Sequence, residues 1–215
     1  MARRLVFGVL ALVIGAGAGA AEPVNGKLAK KALLSPKGAE AAILASAALP
    51  PDQAKVLSQV AADQPYYGAI AISPDEGLMS EATFAAVNYH NTEAASVAAL
   101  AECNAKKKAA SAAVCAVAAL ITPKGWAAGS FQLSRDATLA FRDGYAKKGG
   151  ALATSDVTGA FGIAEGAGAA EAAIAACAAK SPLAVDCKVV IARRCVVTCR
   201  PEKQKFHHSE ASWRN

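Results

Sequence analysis

The sequence has few of the residues and motifs from which common catalytic sites are built. Histidine occurs three times in 215 residues, and aromatic residues make up 6% of the chain. No serine lies in a Gly-x-Ser-x-Gly elbow, and no phosphate-binding loop ending in Gly-Lys-Ser or Gly-Lys-Thr occurs. These absences argue against elbow-type serine hydrolases and P-loop nucleotide-binding proteins.

Long apolar runs are also lacking, apart from a short one near the N-terminus. Arg3 and Arg4 precede an uncharged stretch over residues 5–14, and small residues follow it. This order of segments is typical of a secretory signal peptide. We predict a signal peptide over residues 1–21 and a periplasmic or secreted protein with no stable membrane span after cleavage. An uncleaved membrane anchor is the alternative, but the run is short for a span.

A short unit is present twice in the sequence. Each copy is predicted to fold as strand, strand, helix and strand. An apolar strand, an alanine-rich helix ending in a cysteine and a strand beginning with a cysteine recur. The matching segments are Gly68–Ser73 and Gly150–Ser155, then Val97–Cys103 and Glu171–Cys177, then Cys115–Ala119 and Cys187–Ile191, with Leu78–Val87 as the second strand of the first copy.

These copies define the predicted fold. One helix cannot cover the apolar face of its own strands, so we expect both copies to share a sheet of about six strands. This predicts an α+β fold with one mostly antiparallel sheet and helices packed on one face. The predicted divisions are a helical N-terminal region at 22–65, a duplicated domain at 66–192 (units 66–122 and 150–192, connector 123–149) and a basic tail at 193–215.

The N-terminal region is predicted to be helical. Leu28–Leu34 has the pattern of a short helix, and Gln53–Ala62 has one apolar face. Between them, Ser35 is expected to cap a helix that runs from Pro36 to Ala48. The region could pack on the sheet or form a mobile arm, and we expect it to pack.

Each copy contains two cysteines, at the end of its helix and at the start of its last strand. In an oxidising compartment such cysteines are expected to form disulfides. Each bond would close a loop of about a dozen residues, worth about 3 kcal/mol in the chain-entropy model. The predicted pairs are Cys103 with Cys115 and Cys177 with Cys187, and Cys195 and Cys199 remain to pair with each other.

The candidates for metal or cofactor binding have better structural interpretations. His207 and His208 follow a cysteine pair, but this spacing fits no common zinc signature. Gly166–Gly168 precedes a helix, but Glu171 stands where a dinucleotide-binding loop has its third glycine. We predict no metal, no cofactor and no catalytic residue.

Charged residues also have ordinary interpretations. Asp75 and Glu76, with Asp156 in the second copy, are expected to serve turns, which aspartate favours. Lys106–Lys108 and the basic tail could contact anionic polymers or lipid. Aromatic residues are not interleaved with these basic residues, so nucleic-acid binding is not predicted.

An insertion in the first copy is the predicted ligand contact. Residues 88–91 have no counterpart before the helix of the second copy, and a one-copy insertion is where function is expected. His90 could act as a general base or ligand, although a polar loop histidine is the commoner role. Nearby aromatic residues could line a groove or pack in the core. The predicted contact residues are Asn88, Tyr89, His90 and Trp126.

The same elements resemble those of short exported bacterial domains of unknown function. The resemblance rests on a Gly-Ala-Ile-Ala strand at 68–71, on a helix with Glu93-Ala94 and Ala99-Leu100 that ends in Cys103, and on the Cys-x-Val-Val strand at 187–190. It covers both units and implies no established activity. Similar alanine-rich chains are associated with the name 5-aminolevulinate synthase. No residue here matches the cofactor lysine of that pyridoxal-phosphate enzyme.

The resulting functional hypothesis is a non-catalytic module that binds a protein or polymer in the cell envelope. An enzyme of unknown class, either a hydrolase or the 5-aminolevulinate synthase that the associated name implies, is one alternative, and an inhibitor of an envelope hydrolase is another. An enzyme would require a cleft with converging polar side chains and shifted pKa values.

Overall fold

The computed structural model describes residues 22–145 and 150–192. In chain order, its elements are β1 (Val24–Asn25), α1 (Gly26–Ala32), β2 (Ala39–Ile43), α2 (Pro51–Ala62), β3 (Gly68–Ile72), β4 (Phe84–Ala86), α3 (Thr92–Lys106), β5 (Ala116–Pro123), α4 (Arg135–Ala140), β6 (Ala151–Thr154), β7 (Phe161–Ala164), α5 (Ala169–Ala178) and β8 (Lys188–Ala192). A short 3-10 helix at Ala45–Ala47 follows β2, and a π-helical turn at Phe141–Tyr145 follows α4.

The strands form two four-stranded sheets, in the orders β2-β5-β3-β4 and β1-β8-β6-β7. All pairings are antiparallel except that of β1 with β8. The α+β class with mostly antiparallel sheets is confirmed, but the prediction of a single sheet is wrong. The reason is that β2 and β1 occupy the outer edges of β5 and β8, where strands of the other unit would otherwise pair.

Both units pair their strands in the same way. The orders β4-β3-β5 and β7-β6-β8 agree, and each central strand shifts register at its middle, between Ile70 and Ala71 and between Leu152 and Ala153. One disulfide joins the helix of each unit to its last strand: Cys103–Cys115, with an S–S distance of 2.03 Å, and Cys177–Cys187, with 2.00 Å. Cys195 and Cys199 lie outside the described residues.

Helices cover both faces of each sheet, not one face as predicted. In β3, alanines face α3, and Ile70 and Ile72 face the side covered by α2. The second sheet has α5 on one face and α1, α4 and Phe141 on the other. The central strands β3 and β6 are buried along their whole length, and such strands require apolar cover on both sides.

The N-terminal region packs against both sheets. The predicted helix over Pro36–Ala48 is wrong, because residues 39–43 instead pair with β5 as strand β2. The alanines of this segment favour a helix in isolation, but pairing along β5 overrides that weak preference. Ser35 accepts a hydrogen bond from the Lys37 backbone in a local turn. Among the described residues, no helix is long and apolar enough to cross a membrane.

Candidate functional site

The inserted segment of the first unit joins three parts of the fold. His90 is buried, with 5% of its surface exposed. Its Nδ1 accepts a hydrogen bond from the backbone N–H of Ser134, at 3.0 Å, so its Nε2 carries the proton and donates to the carbonyl of Ala160, at 2.9 Å. Burial lowers the pKa of His90, which keeps the ring neutral. Neither ring nitrogen is left for a ligand.

Two asparagines of the insertion also serve the fold. Asn88 has a positive φ of 63°, and its side-chain amide donates to the Asp136 carboxylate while its Oδ1 accepts from the Asp136 backbone N–H. Asn91 caps α3, because its Oδ1 accepts from the backbone N–H of Ala94 at 2.7 Å. The side-chain amide of Asn88 and the side-chain oxygen of Asn91 are therefore engaged within the protein.

Trp126 packs in the core region beside the first sheet. Its ring meets that of Tyr67 edge-to-face with centroids 6.4 Å apart, and Tyr67 meets Tyr66 in the same manner at 5.4 Å. The structure does not bring Trp126 to the insertion's open side. Of the four predicted contact residues, Tyr89 presents its ring to an open surface.

That surface is a groove of about 680 Å³ between the two units, which we call the inter-unit groove. One wall is the outer face of α3 from Glu93 to Glu102, and Phe84 and Tyr89 lie beside it. The turn 156–158 and Leu183 of the second unit form the other wall. Its lining is mainly apolar, and Val97, Leu183 and Val157 are 70%, 71% and 55% exposed. Large apolar side chains are thus left in water on both walls.

One difference between the units places an aromatic ring on the groove. Gly162 of β7 pairs with Ala153, and a Cβ on Gly162 would lie 2.2 Å from the carbonyl oxygen of Ala173 in α5. Helix α5 can approach β7 closely because no side chain intervenes. Phe84 stands at the matching place in β4, where it pairs with Ala71, and its ring lies against α3 and lines the groove.

The charges on the groove lining are all of one sign. Among the residues that the structure describes, Glu93, Glu102 and Asp156 are the charged residues that line it, and Lys106 lies at its edge with its Nζ 4.5 Å from the centre of the Phe84 ring. Burial and the charge of Glu102 raise the pKa of the Tyr89 hydroxyl. The groove therefore combines apolar walls with a negative rim.

Sequence reasoning missed most of this lining. The buried stripe of α3 is formed by Thr92, Ala95, Ala99 and Cys103. Val97 lies off that stripe, and an apolar β-branched residue on the outer side of a helix was the available signal. Nothing in the sequence places Leu183 opposite Val97, because the two belong to different units.

A second, polar cleft of about 800 Å³ lies between the turn after β3 and the loop after α3. The Glu76 carboxylate accepts hydrogen bonds from Ser111, Ser80 and Ser73 and from the Lys108 backbone. These bonds, with that from Ser111 the strongest contributor, lower the pKa of Glu76 to about 2. The carboxylate holds the loop to the turn.

Asp75 contributes to the same attachment by accepting from the Ala113 backbone. In the part of the chain that the structure describes, no three histidine, cysteine or acidic side chains are placed to hold a metal ion. His207 and His208 lie outside that part.

Comparison of the chain with protein-family models, with curated proteins and with solved structures gives no match. The class of protein is therefore defined by its fold and site. It is an α+β protein with two units that share one order of three strands and each contain a disulfide, and an apolar, acid-rimmed groove lies between them.

Proposed function

We propose that this protein is an exported, non-catalytic module that binds an apolar segment of a protein partner in the inter-unit groove. The observation that carries this proposal is the exposure of Val97, Val157 and Leu183 on facing walls of one groove. Contiguous exposed apolar surface on a soluble protein marks a contact site. The volume of the groove is within the usual range of ligand sites.

Export is the second part of the proposal. The signal-peptide pattern at residues 1–21, the two disulfides and the resemblance to exported bacterial domains support it. The cell envelope is the compartment that these features favour. A protein segment fits the lining better than a carbohydrate polymer, because the walls offer few polar groups to hydroxyl-rich chains.

The enzyme alternative has less support. The polar cleft does gather charged side chains, but the carboxylate with the strongest shift there is Glu76, and its oxygens are engaged by the loop. A general acid or base needs a pKa near the working pH. A pKa of about 2 is far from that range.

A pull-down from an envelope extract tests the proposal. Wild type is compared with a groove variant, Val97→Gln with Leu183→Gln, and with a control variant, Val56→Gln with Val60→Gln. The control residues are exposed on α2, at 55% and 51%, and do not line the groove. We expect a protein recovered by wild type and by the control to be lost with the groove variant. Equal recovery by all three would assign binding elsewhere.

A further inference from the structure

The rim of the inter-unit groove contrasts with the charge of the whole chain. The full sequence carries a formal charge of +6, yet in the described part of the chain the charged side chains on the groove lining are three carboxylates. They stand on both walls, Glu93 and Glu102 on α3 and Asp156 on the facing turn. A segment lying between the walls would therefore meet negative charge on both sides.

Two of these carboxylates already have lysine partners, and one of these lysines, Lys106, also places its Nζ 4.5 Å from the centre of the groove-lining Phe84 ring. Glu102 is 3.9 Å from the Nζ of Lys106, and Asp156 pairs with Lys188. All four side chains are about half exposed. Exposed ion pairs contribute little free energy, so a bound cation can replace or share these lysines at small cost.

The apolar walls and the charged rim select one kind of partner. We infer that the groove binds a cationic amphipathic segment of a partner protein, with apolar side chains against Val97 and Leu183 and lysine or arginine at the rim. This inference rests on the proposed function and specifies its partner. Complementary charge would add selectivity and faster association to the apolar contact.

Anionic lipid surfaces and acidic peptides do not fit the same rim, because like charges would face each other. Two other occupants are compatible with it and are separated by experiment. One is the basic segment 193–215 of this chain, which contains six lysine or arginine residues against two glutamates. The other is a second copy of the protein.

The test uses three synthetic peptides of equal length and equal leucine spacing, whose remaining positions are all lysine, all glutamine or all glutamate. Binding to the full mature chain is measured by calorimetry at low and high salt. We expect the lysine peptide to bind about tenfold more tightly than the glutamine peptide, and the glutamate peptide more weakly still. The preference should disappear at about 1 M salt, where charges are screened.

Matched variants show which carboxylates cause the preference for the lysine peptide. Glu93→Gln with Glu102→Gln should remove the lysine preference without changing the affinity for the glutamine peptide. Glu40→Gln with Glu171→Gln removes the same charge from outside the lining and should leave the preference intact. The pair Val97→Gln and Leu183→Gln should weaken both peptides.

Equal binding of the lysine and glutamine peptides would overturn the charge inference and leave the apolar groove proposal standing. Failure of every peptide would also overturn it, and only unchanged recovery in the extract experiment would overturn the proposed function. Binding of the lysine peptide only after truncation beyond Ala192 would assign the groove to the tail. A dimer that dissociates in the Val97→Gln, Leu183→Gln variant would assign it to a second copy. Either result would contradict an external partner.

Discussion

The two units have the same strand order, but they differ at the position where the helix meets the second strand. In the second unit, Gly162 lets α5 lie directly on β7. In the first unit, Phe84 places a ring there, and that ring and Tyr89 border an open groove. At this position, a difference in side-chain size separates a helix that lies directly on its strand from a helix that shares an aromatic ring with the groove.

A second difference concerns the carboxylate that holds the disulfide loop. In the first unit, Glu76 lies on the turn, and the loop supplies donors from Lys108 and Ser111. In the second unit, the carboxylate lies on the loop and the donors lie on the turn. Asp186 lies on the loop, and Ser155 and the backbone of residues 156 and 157 donate to it from the turn.

In both units a carboxylate attaches the disulfide loop to the turn, although different residues make this contact in each unit. The attachment also explains why acidic residues recur near the turns without forming a catalytic pair. The same contact can be made from either side, so residue identity differs while geometry agrees.

The largest effect on the free energy of unfolding is expected from filling the space at Gly162 with a side chain. In Gly162→Ala, the new Cβ would meet backbone atoms of α5, at 2.2 Å from Ala173 O and 2.5 Å from Cys177 N. We expect a loss of about 3 kcal/mol in the free energy of unfolding, because backbone atoms cannot move aside as a flexible side chain does. Urea denaturation measures it.

Gly144→Ala is the matched control, since no atom of the described residues lies within 4 Å of its added Cβ. This variant should stay within about 1 kcal/mol of wild type. If both alanine variants were equally stable, the close approach of α5 to β7 would not be what distinguishes the second unit from the first.

The central strands were predictable from the sequence, and one N-terminal segment was not. Alanine and isoleucine alternate in Gly68–Ile72, and each residue type faces a different helix layer. Helix α5 occupies Ala169–Ala178, close to the limits expected from its pattern. The segment 39–43 was misassigned because alanine is weak evidence for a strand, and its pairing with β5 depends on residues about eighty positions away.

The site was predictable only in part. The one-copy insertion did mark an important segment, but its bonds were not visible in the sequence. His90 binds Ser134 and Ala160, 44 and 70 residues further along the chain. Those contacts make the insertion a joint between units, and they leave the groove beside it as the open surface.

A smaller effect is expected from breaking that joint. In His90→Gln, the Ser134 N–H and the Ala160 carbonyl lose their aligned partner in a buried place, which should cost about 2 kcal/mol. Thermal and urea unfolding at neutral pH measure the loss.

The pH dependence gives a second readout for His90. Its folded pKa lies below the ordinary value of 6.5, because burial outweighs the opposing effects of the hydrogen bond to Ala160 and of the charges of Asp156 and Asp186. Below pH 6.5 the unfolded chain therefore binds a proton that the folded protein does not, and stability falls by up to about 1.4 kcal/mol per pH unit. His90→Gln should lack this component. An identical pH slope in both proteins would contradict a buried, neutral histidine.

The smallest expected effect is on the acid dependence of stability, and it should distinguish the Glu76 carboxylate from the Asp186 carboxylate. The pKa of Glu76 falls from 4.5 to about 2, so its stabilisation is complete above pH 4.5 and is lost as pH falls towards 2. For Asp186, burial opposes the shift, but hydrogen bonds from Ser155 and the turn backbone still lower its pKa. Melting temperatures from pH 7 to pH 2 should therefore lose more of their acid dependence in Glu76→Gln than in Asp186→Asn. The opposite order would mean that the loop of the second unit, not that of the first, depends more on its carboxylate.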